Sequence, residues 1–294
     1  MAGPSSPRTV VQTAPSMAGL FARAALTARG RGGDLPGTRL AREGVRVDPA
    51  ELAAYDRVCR FPLGDALPPT YPHVLTFPLQ VALMSDRGFP LALPGLVHVR
   101  NRIDVLRPIG AHEALDLEVW AERFAAHRSG ATVDLCASVS AGGDEVWRGR
   151  STYLARGARA PGDEAPDSAP QADGEATVGA LERPAATWPI PADAGRRYAK
   201  VSGDVNPIHL AGLTAKAFGF KRAIAHGMWM KARVLAALSG RLPDAFTVDV
   251  AFRKPVFLPS SVTLFTAPAQ GGWDVAVRGA GGEIEHLIGT VRPR

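Results

Sequence analysis

Two long apolar runs with helical spacing dominate the hydrophobic pattern of the chain. The first is YPHVLTFPLQVALM at 71–84, and the second is IAHGMWMKARVLAAL at 224–238. In both, apolar residues recur every three to four positions, as in a helix with a buried face. The second run is apolar over most of its circumference, with only Lys231 and Arg233 polar after its histidine. It predicts a buried helix in which core packing is the simplest role for Met228 and Trp229.

Each run is followed by segments with the alternation typical of β-strands. These are GLVHVRNRIDVLRPIG at 95–110 and FTVDVAFRKPVFLPS at 246–260. Farther along each half, Gly142-Gly143 and Gly281-Gly282 separate strand-like runs and predict hairpins. One long helix followed by antiparallel strands therefore occurs twice, which indicates a domain-sized duplication. We expect an α+β fold in which each half wraps a sheet around its helix.

The composition changes between the two halves. Residues 156–187 are rich in Pro, Ala, Gly and acids. Such a segment buries too little apolar surface to offset its ordering entropy, so we expect a linker between an N-terminal domain at 1–155 and a C-terminal domain at 188–294. Near the start of the chain, a short apolar stretch is interrupted by Arg23 and closed by Arg29. We expect it to form an amphipathic helix that docks on the first domain.

Charge and cysteine content limit the classes of partner. The net charge is +6, but the basic residues are scattered, without a long run or interleaved aromatic residues, so we expect no nucleic-acid partner. The N-terminal stretch has the pattern of neither a secretory signal nor a membrane span, which needs about 18 apolar residues. Cys59 and Cys136 lie far apart, without partners at metal-ligand spacing. This pattern favours the reducing cytoplasm.

The segment VSGDVNPIHL at 201–210 places an acid and an imidazole on either side of a proline. Asn206-Pro207 favours an extended residue followed by a turn, so that Asp204 and His209 can face one another. A carboxylate and a neutral imidazole could together hold and polarise one water molecule. Downstream, the helix that begins near Gly227 has free N–H groups that would stabilise a carbonyl oxygen gaining negative charge. Hydration of a thioester-conjugated double bond needs these elements.

Structural roles would explain the same residues. Asp204 could bond its own backbone in an ordinary Asp-Val-Asn-Pro turn, and His226 could cap the helix that follows it. Spacing alone leaves both roles open.

YAKVSGDVNPIHL at 198–210, followed by AKAFGFKRAIAHGM at 215–228, resembles the hydratase 2 signature of the MaoC-like, (R)-specific enoyl-CoA hydratases. The matching residues are Gly203, Asp204, Asn206, Pro207, His209, Phe218, Gly219, Ala225, His226 and Gly227. The whole chain, with a diverged first copy and an intact second, looks like the two-domain 3-hydroxyacyl-thioester dehydratases of fatty-acid metabolism. The resemblance implies a double hot-dog fold, each half a curved antiparallel sheet around a long central helix. It also implies reversible hydration of trans-2-enoyl thioesters to (R)-3-hydroxyacyl thioesters.

The same resemblance implies roles for single residues. Asp204 and His209 become the catalytic pair, and the Gly227 amide becomes the donor to the thioester carbonyl. Asn206 is expected to orient the pair or its water. The other residues expected near the substrate are Tyr198, Ser202, His226 and Met228. No metal or redox cofactor is expected, and the partner is an acyl thioester of coenzyme A or of acyl carrier protein.

The first half should have lost the chemistry. No Asp-x-x-x-x-His motif precedes His73, which the pattern aligns with His226. We expect that half to hold the acyl tail in a pocket lined partly by Pro78, Leu79 and Met84. The two halves should pair as a pseudo-dimer, with a further homodimer left open.

The sequence leaves open both the carrier of the acyl group and the reaction. Cations near the motif could meet a phosphate-bearing thioester, although each one singly is expected on solvated surface. The five lysines, all in the second half, are Lys200, Lys216, Lys221, Lys231 and Lys254. A thioesterase of the same fold and a non-catalytic module that binds acyl thioesters are the competing functions.

Overall fold

The computed structural model describes residues 7–13, 16–26, 30–161 and 181–294. The helices are α1 Met17–Leu26, α2 Pro49–Cys59, α3 Tyr71–Ser85, α4 Ala194–Ser202, α5 Gly212–Ala217 and α6 Gly227–Ala237, with a 3-10 helix at Pro207–His209. The strands are β1 Arg8–Val10, β2 Arg39–Val45, β3 Leu96–Val105, β4 Leu115–His127, β5 Gly130–Ala141, β6 Asp144–Arg156, β7 Pro184–Ile190, β8 Phe246–Phe252, β9 Ser260–Ala269, β10 Gly272–Gly279 and β11 Glu285–Pro293.

These strands form one continuous sheet with the order β1-β2-β4-β5-β6-β3-β8-β11-β10-β9-β7. The first six strands in that order belong to the first half of the chain and the last five to the second. Apart from the parallel pair of β1 and β2, neighbouring strands are antiparallel. α3 packs on the first half and α6 on the second. The predicted α+β double hot-dog architecture is confirmed.

The two halves join where β3 pairs with β8. Asn101 lies opposite Val250, and Arg102 lies opposite Asp249. Beside this seam, the Arg100 guanidinium makes two hydrogen bonds to the Asp249 carboxylate, at 2.9 and 2.6 Å. The expected pseudo-dimer is therefore held by backbone hydrogen bonds as well as by apolar packing.

Lys231 is completely buried beneath the seam, so its expected place on the surface was wrong. Its Nζ donates to the backbone and side-chain oxygens of Asn101, at 3.0 and 2.5 Å, and to the Val248 carbonyl at 3.2 Å. The three acceptors match the three N–H groups of an ammonium and come from both halves. Burial lowers the pKa of Lys231 to about 7, against the opposing charges of Asp249 and Asp104.

The histidines of the two apolar runs are not equivalent, although the sequence pattern aligned them. His226 is the residue before α6, with extended backbone angles, whereas His73 lies inside the first turn of α3. Thr70 occupies the position before α3. The pattern misled because both helices start close to a histidine, and a shift of three residues along a helix keeps a side chain on a similar face.

The predicted linker and the N-terminal helix can be compared with the structure in part. Strand β6 runs through residue 156 and β7 already begins at Pro184, so the sheet includes both ends of the predicted linker at 156–187. Residues 162–180 of that segment lie outside the described residues.

The N-terminal helix is α1, which packs on α3 with Ala24 fully buried. None of the helices described is long and apolar enough to cross a membrane.

The Arg100–Asp249 pair should contribute to the stability of the joined halves. Arg100→Met leaves a buried carboxylate without its bidentate partner, and we expect the free energy of unfolding to fall by about 3 kcal/mol. The double variant Arg100→Met/Asp249→Leu should recover part of that loss, because it removes the buried charge as well. Urea denaturation of the parent, of Arg100→Met, of Asp249→Leu and of the double variant measures both effects.

The control is Arg148→Met, which removes an exposed pair with Glu145 and should cost under about 1 kcal/mol. A double variant as unstable as the sum of its two single variants would show that Arg100 and Asp249 are not energetically coupled.

Candidate active site

The acid of the motif is held by a tight turn at the end of α4. Gly203 closes the helix with a positive φ of 73°. The Ser202 hydroxyl donates to the Tyr198 carbonyl at 2.8 Å and accepts the Asp204 N–H at 3.2 Å. The Asp204 carboxylate accepts the N–H of Asn206 at 3.2 Å. The carboxylate is therefore oriented by its own turn while its second oxygen stays available.

The imidazole of the motif lies one short helix later. Asn206 has the extended backbone that a residue before proline favours, with φ −54° and ψ 125°, as the sequence predicted. Its side-chain oxygen accepts the Ile208 N–H at 3.3 Å and so caps the 3-10 helix that ends at His209. Gly195 of α4 packs directly against this helix, because a Cβ there would lie 2.1 Å from the His209 carbonyl oxygen.

The protonation state of His209 follows from its surroundings. Burial lowers the pKa of His209, partly offset by the charge of Asp204 and by the Ile224 carbonyl. The ring is therefore neutral at neutral pH, and the 2.8 Å contact with the Ile224 carbonyl makes Nδ1 the N–H donor. That leaves a lone pair on Nε2, which is the form needed to accept a proton from water.

His226 packs between His209 and Tyr198. Its ring stacks on His209 with centroids 3.6 Å apart and contacts Tyr198 at 4.9 Å. Nε2 lies 3.0 Å from the Asp204 carbonyl oxygen and 3.7 Å from the carboxylate. Burial lowers the pKa of His226 well below its usual range, so Nε2 donates to the carbonyl as a neutral N–H. The ring thereby fixes the backbone of Asp204.

One carboxylate oxygen of Asp204 and one nitrogen each of His209 and His226 lie within 4.8 Å of one another. Two hydrogen bonds of about 2.8 Å that meet at one water span about 4.6 Å, so a single water can bridge two of these groups. A metal ion fits the donors less well. Ligand bonds of about 2.0 Å require lone pairs that converge on the ion, whereas the two imidazoles are stacked 3.6 Å apart and Nε2 of His226 carries its proton toward the Asp204 carbonyl.

Gly227 begins α6 directly after this cluster and lines the same pocket. The first N–H groups of a helix have no intrahelical partners, and the helix dipole favours negative charge there. A Cβ at Gly227 would lie 3.0 Å from the Phe252 ring. Glycine thus allows Phe252 and α6 to approach closely.

A pocket of about 660 Å³, including its open mouth, brings together seven of the eight predicted site residues. They are Tyr198, Ser202, Asp204, Asn206, His226, Gly227 and Met228. The remaining residue, His209, stacks on His226 and lies within reach of the Asp204 carboxylate. Burial raises the pKa of Tyr198 well above its usual range, so its hydroxyl stays protonated. The catalytic roles of these residues remain predictions.

The opposite wall comes from the first half. Of the predicted tail-binding residues, Met84 lines the pocket, whereas Leu79 is buried in the core and Pro78 is not part of the wall. The face of α3 that reaches the pocket instead includes His73, Val74 and Phe77. One step along a helix turns a side chain by about 100°, which directs 78 and 79 elsewhere. Phe21 of α1, Leu93 and Leu96 complete the apolar wall.

Sequence reasoning missed two polar residues of this wall, His98 and Tyr153. They are partners across β3 and β6, and their rings stack at 4.6 Å. A bulge between His98 and Arg100 shifts the register of β3 at this point. Burial lowers the pKa of His98 well below its usual range and raises the pKa of Tyr153 well above its usual range, so both rings are neutral at neutral pH. No local motif marks either residue, because the wall forms only when distant strands pair.

Comparison with known proteins agrees with this geometry. Residues 168–269 match the model of the family described as MaoC like domain. The chain is 40% identical over 258 residues to 3-hydroxyacyl-thioester dehydratase X of Mycobacterium tuberculosis, a match that covers 88% of this chain and 90% of that protein.

Solved structures extend the likeness to the fold. The crystal structure of HtdX of Mycobacterium tuberculosis superposes with a TM-score of 0.76 at 38% identity, over 87% of this chain and all of that one. A MaoC-like dehydratase from Phytophthora capsici, at 18% identity, shares the fold with a TM-score of 0.69 over 87% of this chain and 94% of its own. The extent of the match to the mycobacterial relative, together with the intact motif in the second half, shows that this chain belongs to the MaoC-like dehydratase family.

Proposed function

We propose that this chain catalyses the reversible syn addition of water to a trans-2-enoyl thioester, which gives the (R)-3-hydroxyacyl thioester, and the reverse dehydration. The observation that carries the proposal is the neutral His209 with a free Nε2 beside the Asp204 carboxylate, next to a helix start at Gly227. The similar mycobacterial protein bears the name of a 3-hydroxyacyl-thioester dehydratase, which supports the same reaction here.

Binding begins with the thioester carbonyl. Its oxygen accepts the Gly227 N–H at the positive end of α6, and the apolar wall of the first half holds the acyl tail. When water adds to the β-carbon, electrons move from the double bond toward this oxygen and give it enolate character. The helix N-terminus stabilises that charge more than it stabilises the neutral carbonyl, which lowers the barrier.

Asp204 and His209, which we call the dyad, then move the protons. Asp204 holds and orients the water as an acceptor, and His209 takes its proton on Nε2 while the oxygen attacks the β-carbon. The Asp204 carboxylate stabilises the imidazolium that forms, and this proton is delivered to the α-carbon to complete the addition. Both new bonds form on the face of the substrate that meets the dyad, so the addition is syn. Dehydration follows the same steps backwards.

These steps are proton transfers, so we propose that neither a metal nor a redox cofactor takes part. The carrier of the acyl group is coenzyme A or acyl carrier protein. We place the enzyme in the cytoplasm, a proposal supported by two cysteines, Cys59 and Cys136, that are both buried and free.

Two other functions predict different products. A thioesterase would direct the water at the carbonyl carbon, whereas a binding module would give no product. In this pocket the carbonyl oxygen is expected at Gly227. Asp204 and His209 lie apart from it, in the segment between α4 and α5. That arrangement favours attack at the β-carbon over attack at the carbonyl.

Product analysis tests the proposed reaction directly. With crotonyl-CoA the protein should form (R)-3-hydroxybutyryl-CoA, measured by loss of enoyl absorbance and by chiral chromatography, without release of free thiol. The (S) isomer would contradict the proposed geometry, free thiol would indicate a thioesterase, and absence of turnover would favour the binding module.

The dyad should behave as one unit. Asp204→Asn and His209→Ala should each lower kcat about 100-fold or more, a usual contribution of general acid–base groups. The double variant should fall little further, because either change already prevents activation of the water. Steady-state kinetics with crotonyl-CoA measure this, and KM should change much less than kcat.

The matched control is His286→Ala, which removes a buried histidine on β11 that is not part of the pocket wall. Its kcat should stay within about twofold of the parent. Near-normal turnover in both dyad variants would rule out the assigned roles.

The pH profile should report the state of His209. Turnover needs the neutral ring, so kcat/KM should be level near neutral pH and fall as the pH drops through a pKa below the usual value of about 6.5. In Asp204→Asn the carboxylate no longer favours the charged imidazole. The acid limb of the residual activity should therefore move to still lower pH.

His286→Ala again serves as the control, because burial also lowers the pKa of His286. Its loss should leave the acid limb in place. A limb that moved in this variant, or that stayed fixed in Asp204→Asn, would mean that another group controls the profile.

A further inference from the structure

The positive charge of the chain is concentrated in the segment that builds the active site. From Ala194 to Pro243 there are nine Lys and Arg residues and a single acid, Asp204. Over the whole chain 34 basic residues face 28 acidic ones, so the remainder carries slightly more acids than bases. The positive charge therefore belongs to the segment that builds the active site, and not to the protein in general.

Helix α4 separates the pocket from this charge. Tyr198 and Ser202 are four residues apart on its inner face and line the pocket. On its outer side Arg196, Arg197 and Lys200 are exposed. The outer side of the pocket wall is thus a cationic helix face.

The next segment continues the same surface. Arg196 donates to the carbonyl of Leu210 at 3.1 Å, which ties α4 to the start of α5. On and just after α5, Lys216 and Lys221 are exposed. Beside them two large apolar side chains lie in solvent, with Leu213 84% exposed and Phe218 38% exposed. We call Arg196, Lys200, Leu213, Lys216, Phe218 and Lys221 the basic surface.

The lysines of the basic surface have no ion pair with any residue that the structure describes. Other cations nearby are engaged, since Arg197 pairs with Asp193 at 2.7 Å and Arg222 lies over the Phe257 ring. Lys200, Lys216 and Lys221 are therefore available to an acidic partner. Exposed cations alone would be ordinary solvated surface, but cations around exposed Leu and Phe have the apolar centre and charged rim of a protein interface.

We propose that the basic surface docks an acidic acyl carrier protein, which delivers its acyl group to the pocket on a flexible prosthetic arm. The inference rests on the proposed function and names the carrier that the function leaves open. Coenzyme A fits the surface less well, because its phosphates need a concave, clustered site rather than an exposed helical face with two apolar side chains. A carrier protein uses both the charges and the apolar centre.

The test compares one enoyl group on three carriers: acyl carrier protein, coenzyme A and pantetheine, which lacks the nucleotide phosphates. Lys216→Glu and Lys221→Glu should each lower kcat/KM for the carrier-protein substrate about 10-fold, mainly through KM, since charge reversal slows encounter. The same variants should change kcat/KM for the pantetheine and coenzyme A substrates less than about twofold. Leu213→Ala should weaken the carrier-protein reaction alone.

The control is Arg128→Glu, which reverses an exposed charge in the hairpin between β4 and β5 and should leave all three reactions unchanged. Added salt should slow the parent enzyme on the carrier-protein substrate and should affect the two lysine variants less.

Each failure can be told apart. If the parent enzyme hydrates none of the three substrates, the proposed function fails. If the parent enzyme hydrates them but the lysine and leucine variants leave the carrier-protein reaction unchanged, the docking proposal alone is overturned. An equal loss with coenzyme A and carrier protein would show that the surface binds phosphate, which also overturns it.

Discussion

The pairing of β3 with β8 is the contact on which the rest of the molecule depends. It fuses two half-sheets into one and fixes how α3 and α6 lie relative to each other. Beneath it the ammonium of Lys231 bonds oxygens of both strands, and beside it Arg100 bonds Asp249. A buried charge is tolerated only with well-placed partners, so these contacts favour one register of the seam over its neighbours. The pocket has two walls because that register is set.

Desolvation determines the chemistry of the site. Burial keeps His209 and His226 neutral, and two backbone carbonyls, of Ile224 and Asp204, select opposite tautomers in the two rings. The stacked pair thus offers one lone pair near the Asp204 carboxylate without adding positive charge. In the proposed reaction, water exclusion would strengthen both the attraction of Asp204 for a transient imidazolium and that of the α6 N-terminus for an enolate oxygen.

Sequence alone predicts the parts of the site that are local in the chain. Asp204, Asn206 and His209 fall within one turn whose proline fixes the backbone, and Gly227 begins a helix that the apolar pattern already marks. Residues from distant strands could not be predicted in this way. His98 and Tyr153 reach the pocket only through the pairing of β3 with β6 and the bulge beside His98.

Two sequence-based predictions were wrong for the same reason, because each depended on tertiary contacts. Lys231 was expected in solvent because lysine is rarely buried, and its acceptors, Asn101 and Val248, are separated from it in sequence. His73 was aligned with His226 because the pattern shows helical periodicity but not the residue at which a helix begins. Both depend on tertiary contacts. The duplicated plan of a sheet around a long helix, by contrast, follows from periodicity and turn residues that repeat in both halves, and the family resemblance implies the double hot-dog fold.

The continuous sheet also has an evolutionary consequence. In a symmetric dimer of single-domain subunits, every substitution appears in both walls of every site, so a change that widens the tail pocket also alters the catalytic wall. In this chain the wall of Phe21, Phe77, Met84 and Leu96 is encoded separately from the wall of Asp204 and His226. A substitution in one half of the chain therefore changes one wall of the pocket and leaves the other wall as it was.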